Sequence, residues 1–354
     1  MALVLVLAGV LWGIGALLGT PRRLRWQMIG VLWLGVVLLH LVLPAAHPMR
    51  QATGESAAPW LLLGGFAAVV ILYRAVLRRL RARAESAPPP AEEAARPAGR
   101  FSETELERYA RHIVLREIGG PGQKALREAK VLVIGAGGLG SPALLYLAGA
   151  GAGTIGVIDG DEVDNSNLQR QVIHRDADIG TPKAHSAAGA MRALNPFVAV
   201  RPYARHLTEE IAGDLFADYD VILDGTDNFD TRYLANAAAV AQGKPLISAA
   251  LSQWEGQISV FDPARGAPCY ECVFPERPAP GLAPSCAEAG VLGPLPGVLG
   301  AMMAVEAVKL VAGAGAPLAG EMLIYDALYG ETRKFALQRR AGCPVCGGAD
   351  REGA

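Results

Sequence analysis

Residues 130–140 read KVLVIGAGGLG. Val131 to Ile134 form a short apolar run with the length and β-branched content of a buried strand. The run feeds directly into Gly135, Gly137, Gly138 and Gly140, and then into SPALLYLAGAGA, a helix-like segment. Glycines at this spacing let the chain turn tightly and bring its backbone N–H groups close to a phosphate, while the following helix turns its positive end to the same spot. The next apolar run, Thr154 to Ile158, ends in Asp159-Gly160-Asp161, at the distance where an acidic residue meets a ribose hydroxyl. Strand, glycine turn, helix, strand and acid together predict a nucleotide-binding unit. A glycine turn in an ordinary α/β protein is the plainer reading of the motif taken alone.

Downstream, EVDNSNLQRQVIH is polar and turn-prone and clusters Asn167, Gln169 and Arg170. Thr181-Pro182-Lys183-Ala184 opens a helix, with Lys183 in its first turn. A cation there is disfavoured by the helix dipole, so it is often present to meet an anion; a solvated surface lysine is the bland alternative. Asp220 to Asp224 is a further buried-strand pattern leading into Gly225-Thr226-Asp227-Asn228, with a helix starting near Asp230. PLISAA (245–250) and GQISVF (256–261) add further strands. Strands separated by helical patterns predict an α/β fold, a Rossmann-like, mostly parallel sheet with helices on both faces. Ligands bind such sheets at the strand ends that carry glycine and aspartate.

Upstream, SETE at 102–105 opens a helix with Glu105 in the position of a capping box; this helix carries Arg108, Tyr109 and Arg111. Residues 84–100 are rich in Pro, Ala and Glu without apolar period, which is a linker composition. Three apolar segments precede it, at 2–19, 26–46 and 57–73. Each is close to the roughly 20 residues needed to cross a bilayer. Arg22, Arg23 and Arg25 fill the first loop, and Arg78, Arg79, Arg81 and Arg83 follow the third segment. By the positive-inside rule the N-terminus lies outside and everything after residue 78 in the cytoplasm. A cleaved signal peptide would need a charged start, which Met1-Ala2 does not supply. The expected organisation is a membrane anchor (1–83), a linker (84–100), a nucleotide-binding domain (101–347) and a tail (348–354).

The chain has 354 residues and a net charge of −1, so no bulk electrostatic case for nucleic-acid binding exists. Its mean hydropathy of +0.26 is explained by the first eighty residues. All five cysteines follow residue 268. Cys269 and Cys272 form one CxxC pair, and Cys343 and Cys346 another. Two such pairs predict a structural four-thiolate zinc site in a reducing compartment, with two redox dithiols as the alternative. Cys286 is left over in a Pro/Gly-rich segment expected to hold no fixed structure, where a thiol would be open to reaction as a nucleophile.

RYARHIVL, VLVIGAGGLGSPALLYLAGAG, DGDEVDNSNLQRQ, GTPKA, DGTDNFDTRYLAN, EGQISVF, CYEC, CAEAGVLGPLPGVLG and CPVC together resemble the ThiF/MoeB/HesA adenylyltransferases, relatives of ubiquitin-activating enzymes, from Phe101 to Gly347. Residues 1–83 lie outside the resemblance. The resemblance implies ATP-dependent adenylation of the C-terminal glycine of a small ubiquitin-like sulfur-carrier protein. The carrier implied is the molybdopterin synthase small subunit, with the thiamine-pathway carrier as runner-up. It further implies that Gly138 and its neighbours pack against the nucleotide and that Asp161 holds the ribose. Arg170 and Lys183, with Asn167 and Gln169, would bind phosphates, and Asp227 would hold Mg²⁺, helped by Asn228. Arg111 matches an arginine that reaches into a partner subunit's site, which implies a homodimer. Cys286 matches the family's loop cysteine. The sulfur itself would come from a separate donor, a cysteine desulfurase or rhodanese-like protein, because the sequence ends at Ala354 without a rhodanese-like extension. ATP use agrees with the cytoplasmic side of an inner-membrane anchor. Other classes compatible with parts of the pattern are an NAD-binding oxidoreductase, a tRNA-modifying relative and a catalytically silent membrane scaffold.

Overall fold

The computed structural model describes residues 2–44, 46–54, 56–86, 101–277 and 289–347. The chain divides into two compact units, Met1–Arg96 and Pro97–Ala354.

The first unit is helical: α1 (Ala2–Leu17), α2 (Arg22–Val42), α3 (Pro48–Thr53) and α4 (Ala58–Ser86). Two stretches in it, Arg23–Val42 and Ala58–Val76, are long and apolar enough to cross a membrane. At 16 residues, α1 reaches only about 24 Å at 1.5 Å per residue. The three expected spans therefore become two helices of spanning length and one shorter apolar helix. Arg22, Arg23 and Arg25 lie not in a loop but in the first turn of α2, because extended Pro21 caps the helix immediately before them. Trp33 of α2 packs on Gly64 of α4, where an added Cβ would lie 2.1 Å from the indole. Its Nε1 donates to the Trp60 carbonyl at 2.9 Å, and Trp60 Nε1 donates to the Thr53 carbonyl at 3.2 Å. Thus the indole N–H groups are satisfied on backbone while Val4, Val36, Val37 and Trp60 form a small core. Leu62 and Phe66 stand out from the helices, 75% and 70% exposed. Helix α4 carries Arg78, Arg79, Arg81 and Arg83 and ends at Ser86, two residues past the expected linker start at Ala84.

The second unit is built on eight strands: β1 (Lys130–Ile134), β2 (Thr154–Ile158), β3 (Ala199–Tyr203), β4 (Val221–Asp224), β5 (Leu246–Leu251), β6 (Glu255–Phe261), β7 (Glu321–Asp326) and β8 (Glu331–Ala336). They form one sheet in the order β3-β2-β1-β4-β5-β6-β7-β8. The first five strands are parallel, with Val131 beside Ile155 on one side and Val221 on the other. Strands β6, β7 and β8 are antiparallel, so the mostly parallel sheet carries an antiparallel edge. The reason is the connection: three residues join β5 to β6, enough for a hairpin and too few for a parallel crossover.

Helices α5 (Glu103–Ile113) and α6 (Gly119–Glu128) precede β1. Helices α7 (Gly140–Ala150), α8 (Lys183–Leu194), α9 (Glu209–Ala217) and α10 (Phe229–Ala241) connect the parallel strands. A short α11 (Tyr270–Val273) and a long α12 (Pro294–Ala312) follow β6. Alternation along β1 sends Val131 and Val133 to one face and Leu132 and Ile134 to the other. The first pair meets Leu144 and Leu147 of α7, Met191 of α8 and Met303 of α12. The second meets Phe216 of α9 and Ala235 and Ala239 of α10. Both faces are therefore covered, as expected. Helix α12 has the length and apolarity of a span, yet Leu295, Leu299, Met303 and Ala307 belong to this core. The capping box of α5 forms as read: Ser102 accepts from the Glu105 N–H, and Glu105 accepts from the Ser102 N–H.

Strand order reverses between β1 and β4. Successive crossovers run outward in opposite directions from this pair, leaving a crevice at their carboxyl ends.

Candidate active site

That crevice is a cavity of about 670 Å³, within the usual range for ligand sites. Its floor is the glycine turn. Gly135 has φ +90°, the left-handed region that L side chains rarely adopt. A Cβ on Gly140 would lie 1.9 Å from the Gly135 carbonyl, so α7 starts hard against β1 only because both residues are glycine. The Ala136 N–H donates to Asp159 Oδ2 at 2.8 Å, tying the turn to the end of β2. Ser141 N–H returns to the Gly137 carbonyl, but the N–H groups of Gly137, Gly138 and Leu139 have no acceptor among the described residues. All three residues line the cavity. Amides left over at a helix N-terminus form a ready-made anion cradle.

Cations stand on the wall formed by the β2–α8 segment. Lys183 is the first residue of α8, its side chain only 8% exposed, and its Nζ donates to Asp161 Oδ2 at 2.8 Å. The Asp161 side chain is 59% exposed. Lys183 N–H also donates to the Asp161 carbonyl, so the two segments are laced together and the ammonium is fixed at the cavity. Arg170 lines the same wall with one N–H on the Ser166 carbonyl at 3.0 Å. Asn167 lies beside it and accepts from the Asp164 N–H at 3.1 Å. Gln171 is buried in the wall, with its Oε1 partnerless among the described residues, an acceptor that a ligand or water donor would satisfy.

On the opposite side, Asp227 is exposed and makes no hydrogen bond or ion pair among the described residues. It stands free because Asp224, the last residue of β4, organises the loop beneath it. Asp224 Oδ1 accepts the Thr226 N–H at 3.1 Å and its hydroxyl at 2.6 Å. A free carboxylate lining the same cavity as Lys183 and Arg170 suits a hard divalent cation shared with phosphate oxygens.

Of the residues read from the sequence, Gly135, Gly137, Gly138, Asp161, Asn167, Arg170, Lys183, Asp227 and Asn228 line this cavity. Asn228 lines it while capping α10, its Oδ1 accepting the Thr231 N–H at 2.8 Å. Gly140 does not line it and serves the close contact beneath. Gln169 turns away to pack on Gly293 ahead of α12. Arg111 is exposed on α5 and is not part of the cavity. Cys286 lies outside the described residues. Sequence reasoning missed Asp159, Gln171, Asp224 and Arg232. Asp159 was visible as a strand-end acid, and both its oxygens accept backbone N–H groups, from Ala136 and Asp161. Arg232 gave no signal in the sequence.

Cys269, Cys272, Cys343 and Cys346 are buried together, their sulfurs all within 4.8 Å of one another. Cys269 and Cys272 are 3.8 Å apart, Cys269 and Cys343 3.6 Å, Cys272 and Cys346 3.4 Å. Thiolates about 2.3 Å from a tetrahedral zinc lie roughly 3.8 Å from each other, so the set fits such an ion without rearrangement. Burial pushes the Cys269 thiol up. At Cys343 burial acts the same way but is outweighed by the backbone N–H groups of Cys346 and Val345 and by the neighbouring thiols, which bring it down to about 6. A buried donor set of this kind suits a metal ion held by four thiolates.

Comparison with known proteins gives a family model described as "ThiF family" matching residues 109–345. The sulfur carrier protein adenylyltransferase of Thermus thermophilus is 49% identical over 252 residues, 70% of this chain and 93% of that protein. The probable adenylyltransferase/sulfurtransferase MoeZ of Mycobacterium tuberculosis is 50% identical over 70% of this chain and 64% of its own length. For the adenylyltransferase and sulfurtransferase MOCS3 of Mus musculus the values are 48%, 71% and 55%, so this chain spans little more than half of that protein. Among solved structures, E. coli MccB with ATP is 25% identical, with a TM-score of 0.57 over 68% of this chain and 74% of that one. The family match begins at Tyr109 on α5, takes in the whole nucleotide crevice and ends at Val345 between the last two cysteines, and on that extent the chain belongs to the ThiF family.

Proposed function

We propose that this chain is an ATP-dependent adenylyltransferase that joins AMP to the C-terminal carboxylate of a small ubiquitin-like sulfur-carrier protein. The observation that carries the reading is the convergence of the unpaired Gly137, Gly138 and Leu139 amides with Lys183 and Arg170 on one cavity. The names of the relatives at 48–50% identity point to the same activity.

A terminal carboxylate has a pKa of about 3.5 and is already ionised, so its attack on the α-phosphate needs no general base. The site has instead to align the two reactants and neutralise charge as pyrophosphate leaves. The amide cradle takes phosphate oxygens, and Lys183 moves from Asp161 to the departing pyrophosphate, with Arg170 beside it. Asp159, fixed at the β2 end by the Ala136 and Asp161 N–H groups, is assigned to the ribose, and Asp161 to holding Lys183 in place until the nucleotide arrives. Asp227 would hold Mg²⁺, which supplies charge neutralisation on the phosphates. The four cysteines would hold Zn²⁺ in a structural role.

Purified chain given Mg-ATP and a carrier is expected to release pyrophosphate and add one AMP to the carrier's mass. Neither event with either carrier would end this reading. We carry forward the molybdopterin synthase small subunit as carrier; the thiamine-pathway carrier, which shares the terminal-glycine chemistry, is the second arm of the assay.

The first unit is proposed to tether the enzyme to a bilayer, with the catalytic unit on the cytoplasmic side. Helices α2 and α4 support this by length, composition and exposed apolar surface, and the arginines of α4 support the orientation. Sedimentation of the protein with membranes after carbonate washing is expected; recovery in the soluble fraction would remove the tether. A homodimer is proposed on the position of Arg111, exposed on α5 away from its own cavity and so available to a partner subunit. Light scattering of the detergent-solubilised protein tests it, and a monomer would remove it.

A further inference from the structure

His174 is 7% exposed and does not line the cavity, yet it touches both phosphate-facing elements. Its Nε2 lies 2.9 Å from the Ala136 carbonyl in the glycine turn. Its Nδ1 lies 2.8 Å from Ser186 Oγ on α8, three residues beyond Lys183. A carbonyl can only accept, so Nε2 carries a proton.

We infer that His174 is a positioning residue for nucleotide binding, holding the Ala136 peptide from behind so that the Gly137 N–H points into the cavity in register with Lys183. The inference rests on the proposed role of that cavity. Its first step is peptide geometry. The Ala136–Gly137 bond is trans, so its C=O and N–H point in opposite directions. Drawing the carbonyl toward buried His174 turns the Gly137 N–H away from the imidazole and toward the cavity, where it has no acceptor among the described residues. The preceding peptide is fixed by Asp159, which accepts the Ala136 N–H. Two neighbouring peptide planes are thus locked from different sides.

The second step is registration. Ser186 Oγ also lies 2.9 Å from Asp178 Oδ2, and that same oxygen accepts the Arg175 N–H at 3.0 Å. A continuous polar chain therefore runs from the glycine turn through the imidazole to α8, the helix whose first residue is the cavity lysine. A histidine serving only to fill space would need neither contact at hydrogen-bond length, and its two nitrogens would not be shared between these two elements.

The test uses the full-length detergent-solubilised protein, with direct ATP binding and steady-state pyrophosphate release. His174→Leu removes both contacts, whereas His174→Gln keeps an N–H where Nε2 stands. Expected is a rise of about tenfold in the KM and Kd for ATP in His174→Leu, with the carrier's KM unchanged and the Gln variant within about threefold of the unaltered chain. Equal losses in both variants, or a loss confined to kcat or to carrier KM, would overturn it. Should His174→Leu not fold, Ser186→Ala replaces it, expected to weaken ATP binding about threefold; no weakening there overturns the inference. An unaltered chain that binds no ATP overturns the reading of the cavity and this inference with it, while ATP binding untouched by His174→Leu overturns this inference alone.

Discussion

Arg232 lies against Asp224 at the end of β4, Nε 3.6 Å from Oδ2, with both side chains buried. The guanidinium also donates to Ser248 Oγ at 3.1 Å and to the carbonyls of Thr226 at 2.7 Å and Ala249 at 3.0 Å. Ser248 in turn donates to Asp224 Oδ2 at 2.8 Å. The pair is therefore satisfied on several sides, and it holds the ends of β4 and β5 and the loop carrying Asp227 as one piece.

Removing one partner of such a buried pair strands the other. Arg232→Met is expected to destabilise the catalytic unit by about 3–5 kcal/mol, read as a fall in Tm. Asp227→Asn, at an exposed position without partners among the described residues, is expected to leave Tm nearly unchanged while abolishing pyrophosphate release. Retained activity would show that Asp227 has no part in the chemistry.

The Lys183–Asp161 ion pair competes with any phosphate for the same ammonium. Asp161 is the exposed member, so the pair is worth no more than about 1 kcal/mol. Asp161→Asn is expected to lower the KM for ATP by about two- to fivefold, whereas Asp159→Asn raises it. A rise in KM for Asp161→Asn would return the ribose role to Asp161.

Stability should fall as pH falls, through His174. Burial, aided by the charge of Lys183, lowers its pKa below the ordinary histidine value, against the opposing pull of the Ala136 carbonyl, Asp159 and Asp178. The unfolded chain then binds a proton at higher pH than the folded one, so stability rises with pH across that window. As pH drops below about 6.5, the unaltered protein is expected to lose Tm that His174→Gln keeps. Parallel Tm curves for the two proteins between pH 7.5 and 5.5 would contradict this.

One zinc per chain is expected by elemental analysis. Cys346→Ser, or prolonged chelation, is expected to lower Tm while direct ATP binding persists, because none of the four cysteines lines the cavity. Loss of ATP binding on chelation would tie the metal to the nucleotide site instead.

Much of this site was legible because its residues act through local geometry. Gly135 is needed where the chain takes positive φ, and Lys183 sits where a helix begins, so motif and spacing carry both. The cysteine pairs were legible because metal geometry demands them. Gln169 was not: two residues past the short helical turn at Asn165–Asn167, a half-turn of backbone decides which of Gln169, Arg170 and Gln171 faces inward, and no periodicity encodes it. The choice between Asp159 and Asp161 likewise depends on which acid meets the Ala136 amide and which meets Lys183. The direction of β6 was hidden because strand residues look alike parallel or antiparallel; only the three-residue link before it carried the answer. Arg232 becomes visible only once β4, β5 and α10 are brought together in space.

Cys269 and Cys343 are 74 residues apart in the chain, and a shared metal would fasten them. A closed ring of that size has fewer unfolded arrangements than an open one, by an amount on the order of 4 kcal/mol in chain-entropy terms. Strands β7 and β8 both lie within the ring. With a metal bound, the sheet's outer rim, otherwise an open template for stray strands, would be held between two fastened ends of the chain.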